Sequence, residues 1–152
     1  LIRKIRAGIP GIALRTTFIV GFPGETDKDF EMLLDFIQDT RFERLGIFRY
    51  SQEEGTRAAK LPRQVHPKVK EARWHKAMAL QRDIALASSR NFVGRELKVL
   101  VEKPGFARSH ADAPEIDGSV SVDKNLPIGE FVTVRIDGYR DYDLIAAGSS
   151  SR

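Results

Sequence analysis

Apolar residues recur with two periods along this chain. In the first part they fall at helical spacing between short β-branched runs, and from Phe92 onward they alternate. Leu1, Ile2 and Ile5 fit the end of an amphipathic helix stopped by Gly8 and Pro10. "IALRTTFIV" then predicts a strand, and "GFPGE" a turn. Thr26 predicts a helix N-cap, with Asp29 three residues on as a weaker capping-box partner. Phe30, Leu33, Leu34 and Ile37 give that helix one apolar face, ending near Asp39, and "RLGIFRY" predicts a second strand. Strand, helix and strand with short connections are the unit of a parallel sheet or an α/β barrel.

Pro67 fits the first turn of a long helix reaching about Arg90. Val69, Ala77, Leu80, Ile84 and Ala87 share one side of it, while Lys68, Lys70, Arg73, Lys76 and Arg82 lie mostly elsewhere. Beyond it Leu97/Val99/Val101, Val120/Val122 and Val132/Val134/Ile136 alternate with other residues, and glycines at 94, 105, 118, 129 and 138 punctuate them. Short strands at this spacing predict a small closed β-barrel, with a boundary near residue 91. Trp74 is expected to pack where the long helix meets that barrel.

Composition narrows the chemistry. The 152 residues contain no cysteine, so disulfides and thiolate metal sites are excluded within them. No apolar run approaches the roughly 20 residues that span a bilayer, which predicts a soluble chain. The opening on Leu1, within a helical pattern, reads as a piece of something longer. His66, His75 and His110 are too scattered for a metal site. Residues 1–91 hold 17 lysines and arginines against 11 acids, and residues 92–152 hold 8 against 10. The basic part either faces an anionic ligand or is a solvated helical surface; the acidic part is a poor match for a phosphate backbone.

The candidate chemistry sits where the first strand ends. "GFPGET" lies between a strand end and a helix start, the side of an α/β unit on which ligands bind. Gly21 and Gly24 let main chain approach a ligand, and Glu25 offers an acceptor for an amine or a ribose hydroxyl. The alternative is a tight turn with a helix-start charge. Neither phosphate-loop pattern is present, so a zwitterionic or nucleoside ligand fits better than a phosphate. Tyr50 and Ser51 end the second strand comparably, while Glu53 and Glu54 read as solvated charges. Arg15 and Thr17 share a strand face, where an inward arginine would hold a ligand carboxylate; the duller reading puts Arg15 at the strand mouth.

"RTTFIVGFPGET", "RLGIFRYSQEEGTRAAKLP" and "DAPEIDG" together resemble the methylthiotransferases of the radical S-adenosylmethionine superfamily, in particular the branch that modifies a ribosomal protein (RimO type). The resemblance covers nearly the whole chain. It implies an α/β fold: a partial radical-SAM-type β/α barrel contributing its last units over 1–66, a connecting helix over 67–91, a small all-β, OB-like TRAM barrel over 92–148, and a tail over 149–152. It implies S-adenosyl-L-methionine and two 4Fe-4S clusters, one held by a C-x-x-x-C-x-x-C motif, with ligands outside this chain. The fragment alone would therefore be inactive. It further implies a cytoplasmic enzyme that attaches a methylthio group to the β-carbon of an aspartate in small-subunit ribosomal protein number twelve. Gly21, Gly24 and Glu25, with Tyr50 and Ser51, would then line the cofactor pocket, joined by Arg15 and Thr17.

The runner-up is a tRNA adenosine methylthiotransferase, and a third possibility is a non-catalytic TRAM binding module. An RNA-binding barrel should present basic residues beside aromatic platforms. Instead "DAPEID" predicts one exposed loop bearing Asp112, Glu115 and Asp117, which with Arg108 form the expected partner surface for a basic ribosomal protein. The other reading is that these acids only cap turns.

Overall fold

The computed structural model describes residues 1–114 and 116–148, so the 149–152 tail lies outside the described residues. The chain divides after Ile84 into two compact units.

The first unit runs α1 (Ile2–Gly8), β1 (Arg15–Val20), α2 (Asp27–Thr40), β2 (Arg44–Arg49), a 3-10 turn (Ala58–Lys60) and the start of α3 (Pro67–Arg90). β1 and β2 pair in parallel from Arg15↔Arg44 to Val20↔Arg49, as a helical crossover requires. The start of α2 is set by the capping box: the Asp29 N–H donates to the Thr26 hydroxyl at 3.2 Å, and the Thr26 N–H donates to Asp29 Oδ2 at 2.9 Å. The Thr26 hydroxyl, which also donates to Asp29, holds that carboxyl below its ordinary pKa. Arg41, at φ 51°, closes the other end of α2.

Val20, Phe30, Ile37, Ile47, Ala77 and Ile84 form the core of this unit. Trp74 packs against it and donates its indole N–H to the Ile47 carbonyl at 2.8 Å. The expected place for Trp74 is thus corrected: its one polar atom is satisfied by a β2 main-chain acceptor. The face assigned to α3 also needs correction. Ala77 and Ile84 are buried, but so are Arg73 and Gln81, whereas Val69 and Ala87 are exposed. The opposite face of the strands stays open, with Arg15, Thr17, Ile19 and Phe48 exposed.

The second unit is a closed barrel of β3 (Glu96–Lys103), β4 (Phe106–Ser109), β5 (Val120–Ser121), β6 (Phe131–Arg140) and β7 (Asp143–Ala146), in the order β3-β4-β5-β7-β6. The β5–β7 pairing is parallel and the others antiparallel. Val99, Val101, Val120, Val122 and Ile136, the alternating residues, fill its interior with Ala107. Among the described residues no helix is long and apolar enough to cross a membrane.

Candidate functional site

The carboxyl ends of β1 and β2 are held side by side, because the Tyr50 N–H donates to the Val20 carbonyl at 2.9 Å. Gly21 and Gly24 follow with φ of 76° and 88°, the left-handed region that glycine enters without Cβ strain. Each glycine also admits a neighbour from its own chain. A Cβ at Gly21 would run into Cγ of Lys70, whose stem crosses the loop while its ammonium donates to the Tyr50 carbonyl at 3.0 Å. The Gly24 N–H donates to the Arg63 carbonyl at 3.0 Å.

Glu25 is the centre of this arrangement, and both its carboxylate oxygens are engaged. Oε2 accepts the Gly21 N–H at 2.9 Å, and Oε1 accepts from the Arg73 guanidinium at 2.5 Å. The side chains of Arg73 and Glu25 are only 7% and 12% exposed, so this pair is shielded, unlike the 2.7 Å bridge from Arg73 to the exposed Asp27. Burial opposes the Arg73 charge, but the bonds to Asp27 and Glu25 outweigh it and raise its pKa above the ordinary guanidinium value. Arg73 also sits 5.6 Å over the Phe30 ring. Sequence reasoning placed Arg73 and Lys70 off the apolar stripe of α3. The available signal was that Lys70, Arg73 and Ala77 follow one another at spacings of three and four residues, on one helix face.

Tyr50 stacks edge-on against Phe22 at 5.2 Å, with the Lys70 ammonium 4.9 Å from its ring. Its hydroxyl is buried and has no hydrogen-bond partner among the described residues. A buried hydroxyl left unpaired costs about 1–3 kcal/mol, which a ligand acceptor would recover. Ser51 is exposed and donates to Glu53 at 2.7 Å. Arg15 and Thr17 are not brought to this rim. They share a strand face with Ile19, but Arg15 opens β1, roughly 17 Å from Val20 at about 3.3 Å per residue. The groups left to a ligand with a polar acceptor and an aromatic face are the Tyr50 hydroxyl and the Phe22 ring, since Lys70 and Arg63 already lie against Gly21 and Gly24. Glu25 fits as the group that fixes the Gly21 amide.

In the barrel unit, Asp112 is buried, which corrects the expected exposure of that loop. Its carboxylate accepts from the Ser109 N–H at 3.1 Å and the Ser109 hydroxyl at 2.5 Å, so it caps a turn. Asp117 accepts the Ala113 N–H at 2.8 Å, again within the loop. Arg108 pairs with Glu102. Glu115 lies outside the described residues.

Residues 93–147 match the family model of the TRAM domain. The chain is 66% identical, over 96% of its own length and 31% of the relative's, to the ribosomal protein uS12 methylthiotransferase RimO of Opitutus terrae. It is 50% identical, over 96% of itself and 32% of the relative, to the protein of that name from Akkermansia muciniphila. The protein of that name from Desulforamulus reducens is 49% identical over 95% of the chain and 35% of the relative. The chain spans about a third of the length of these curated relatives. It carries a TRAM domain and is similar, over the third of their length that it spans, to the RimO-type methylthiotransferases.

Proposed function

We propose that this chain is part of an enzyme that attaches a methylthio group to the β-carbon of an aspartate in ribosomal protein uS12. The observation that carries the reading is the 66% identity over 96% of the chain to a relative so named. In this reading residues 1–66 contribute the last units of a radical-SAM-type barrel in a cytoplasmic enzyme. S-adenosyl-L-methionine and two 4Fe-4S clusters, when bound, would supply the radical and sulfur chemistry. With no cysteine among the 152 residues, the cluster ligands come from outside the chain, and the fragment alone is inactive.

The chain's own residues bind and orient. The main chain of Gly21–Gly24 would border the cofactor, Tyr50 would give it a hydroxyl bond, and Ser51 would lie at its edge. The bonds from Gly21 and Arg73 to Glu25 hold the loop in shape. Arg15 and Thr17 stay on the open strand face below the rim, away from the residues assigned to touch the cofactor. Arg108 on β4 and Asp117 in the following loop are the barrel residues offered to uS12, with Asp112 acting through the shape of the turn it caps; Glu115 is assigned to the same partner from the sequence alone.

The test is mass analysis of uS12 and of tRNA after incubation with the full-length, cluster-loaded protein. Addition of one methylthio group to one uS12 aspartate is expected; modification of tRNA alone would overturn the reading. The tRNA arm is needed because Lys98 lies 5.2 Å over the Phe131 ring and Lys103 lies 4.7 Å over the Phe106 ring, a pairing suited to bases. Tyr50→Phe separates the cofactor role from folding. It should weaken S-adenosylmethionine binding by about 1 kcal/mol in calorimetry while leaving the ligand-free protein as stable as before or slightly more so. Unchanged affinity would count against Tyr50 as a cofactor contact.

A further inference from the structure

A cavity of about 450 Å³ opens beside the strand rim, lined by Phe22, Arg57, Ala58 and Leu61. Its walls are apolar and partly exposed: Phe22 is 43% and Leu61 41% accessible. The wall is also held in place. The Thr56 hydroxyl donates to the Glu53 carbonyl at 2.8 Å and accepts the Ala59 N–H at 3.2 Å. The Gln52 amide donates to the Ala59 carbonyl at 2.9 Å, and the Gln64 amide donates to the Ala58 and Leu61 carbonyls at 3.1 and 3.0 Å. Five hydrogen bonds thus fix a short polar turn so that it presents apolar side chains and one arginine. Arg57 is exposed and makes no ion pair among the described residues, and the hydroxyl of Ser51 already occupies Glu53.

We propose that this cavity seats the uS12 segment carrying the target aspartate, with Arg57 taking the aspartate carboxylate and Phe22 and Leu61 holding an adjacent apolar side chain. The inference rests on the proposed function. The charge is complementary: an unpaired guanidinium faces a substrate whose reacting residue is an anion. The carboxyl carbon is bonded directly to the β-carbon, so a fork on the carboxylate fixes the reacting carbon one bond away. The volume holds one or two side chains, not a folded domain. Because Phe22 packs on Tyr50 in the cofactor loop, the peptide would lie against the cofactor side of the rim. Arg57 thereby becomes the residue that prefers aspartate to asparagine.

The experiment measures binding of two peptides to the full-length, cluster-loaded protein: the uS12 segment with its aspartate, and the same segment with asparagine. The unaltered protein should prefer the aspartate peptide by about tenfold to a hundredfold, the range of a hydrogen bond to a charged group. Arg57→Gln should abolish that preference, and Arg57→Lys should keep part of it. Leu61→Ala should weaken both peptides equally. Equal affinity of the unaltered protein for both peptides, or a preference that survives Arg57→Gln, overturns the proposal. So does a parallel fall in S-adenosylmethionine affinity in Arg57→Gln, which would place Arg57 at the cofactor. Thermal melts of each variant exclude unfolding as the cause. If the aspartate preference is found but uS12 stays unmodified, the proposed reaction fails while the peptide site stands.

Discussion

Arg73→Met is expected to cost about 3–5 kcal/mol of folding stability, measured by urea denaturation, because it strands the shielded Glu25 carboxylate. The size follows from burial. The bridge from Arg73 to Asp27 involves a side chain that is 93% exposed, where an ion pair is worth about 0–1 kcal/mol, so Asp27→Asn should be nearly neutral. The Glu25 pair is the one removed from water. Placing Glu25→Gln on Arg73→Met should recover a large part of the loss, since the neutral amide still accepts the Gly21 N–H. If Arg73→Met and Asp27→Asn cost the same, burial is not what makes Arg73 matter.

Gly118→Ala is expected to destabilise the barrel by about 1–3 kcal/mol or more, the range for overpacking. An added Cβ would run into the Tyr142 carbonyl oxygen and lie 2.9 Å from its carbon, and neither is the movable end of a side chain. The strain would fall on a junction held from both sides. The Ser119 N–H donates to Asp143 at 2.6 Å, the Leu144 N–H donates to the Ser119 carbonyl at 2.9 Å, and the β5–β7 pairing that closes the barrel begins one residue later. Gly138→Ala is the control: nothing lies within 4 Å of its added Cβ, so it should change stability by no more than about 0.5 kcal/mol. A denaturant midpoint for Gly118→Ala indistinguishable from that of Gly138→Ala would refute the close approach.

The elements that local chemistry dictates were legible in the sequence. Thr26 and Asp29 cap α2 through bonds three residues apart, Pro67 opens α3, and the alternating valines face the barrel interior. The loop at the strand end was legible as a loop with two special glycines. Its relation to α3 was not. Arg73 and Gln81 are polar, so a hydrophobicity pattern sets them aside, and only the position of α3 shows that Arg73 meets Glu25 and that Gln81 donates to the Phe42 carbonyl at 3.0 Å. Asp112 misled in the same way, since a charged residue in a polar loop reads as exposed until the Ser109 hydroxyl and amide are found against it.

The sequence by itself determined the element types, the parallel strand–helix–strand unit, the closed barrel and the family likeness. Each depends on residues a few positions apart or on recognisable strings. Tertiary structure alone decided which charges are buried and paired, that the Lys70 stem covers Gly21, and where Arg57, with no ion pair among the described residues, lines an apolar cavity. Those outcomes join residues such as Glu25 and Arg73, 48 positions apart, and no local periodicity encodes such a meeting.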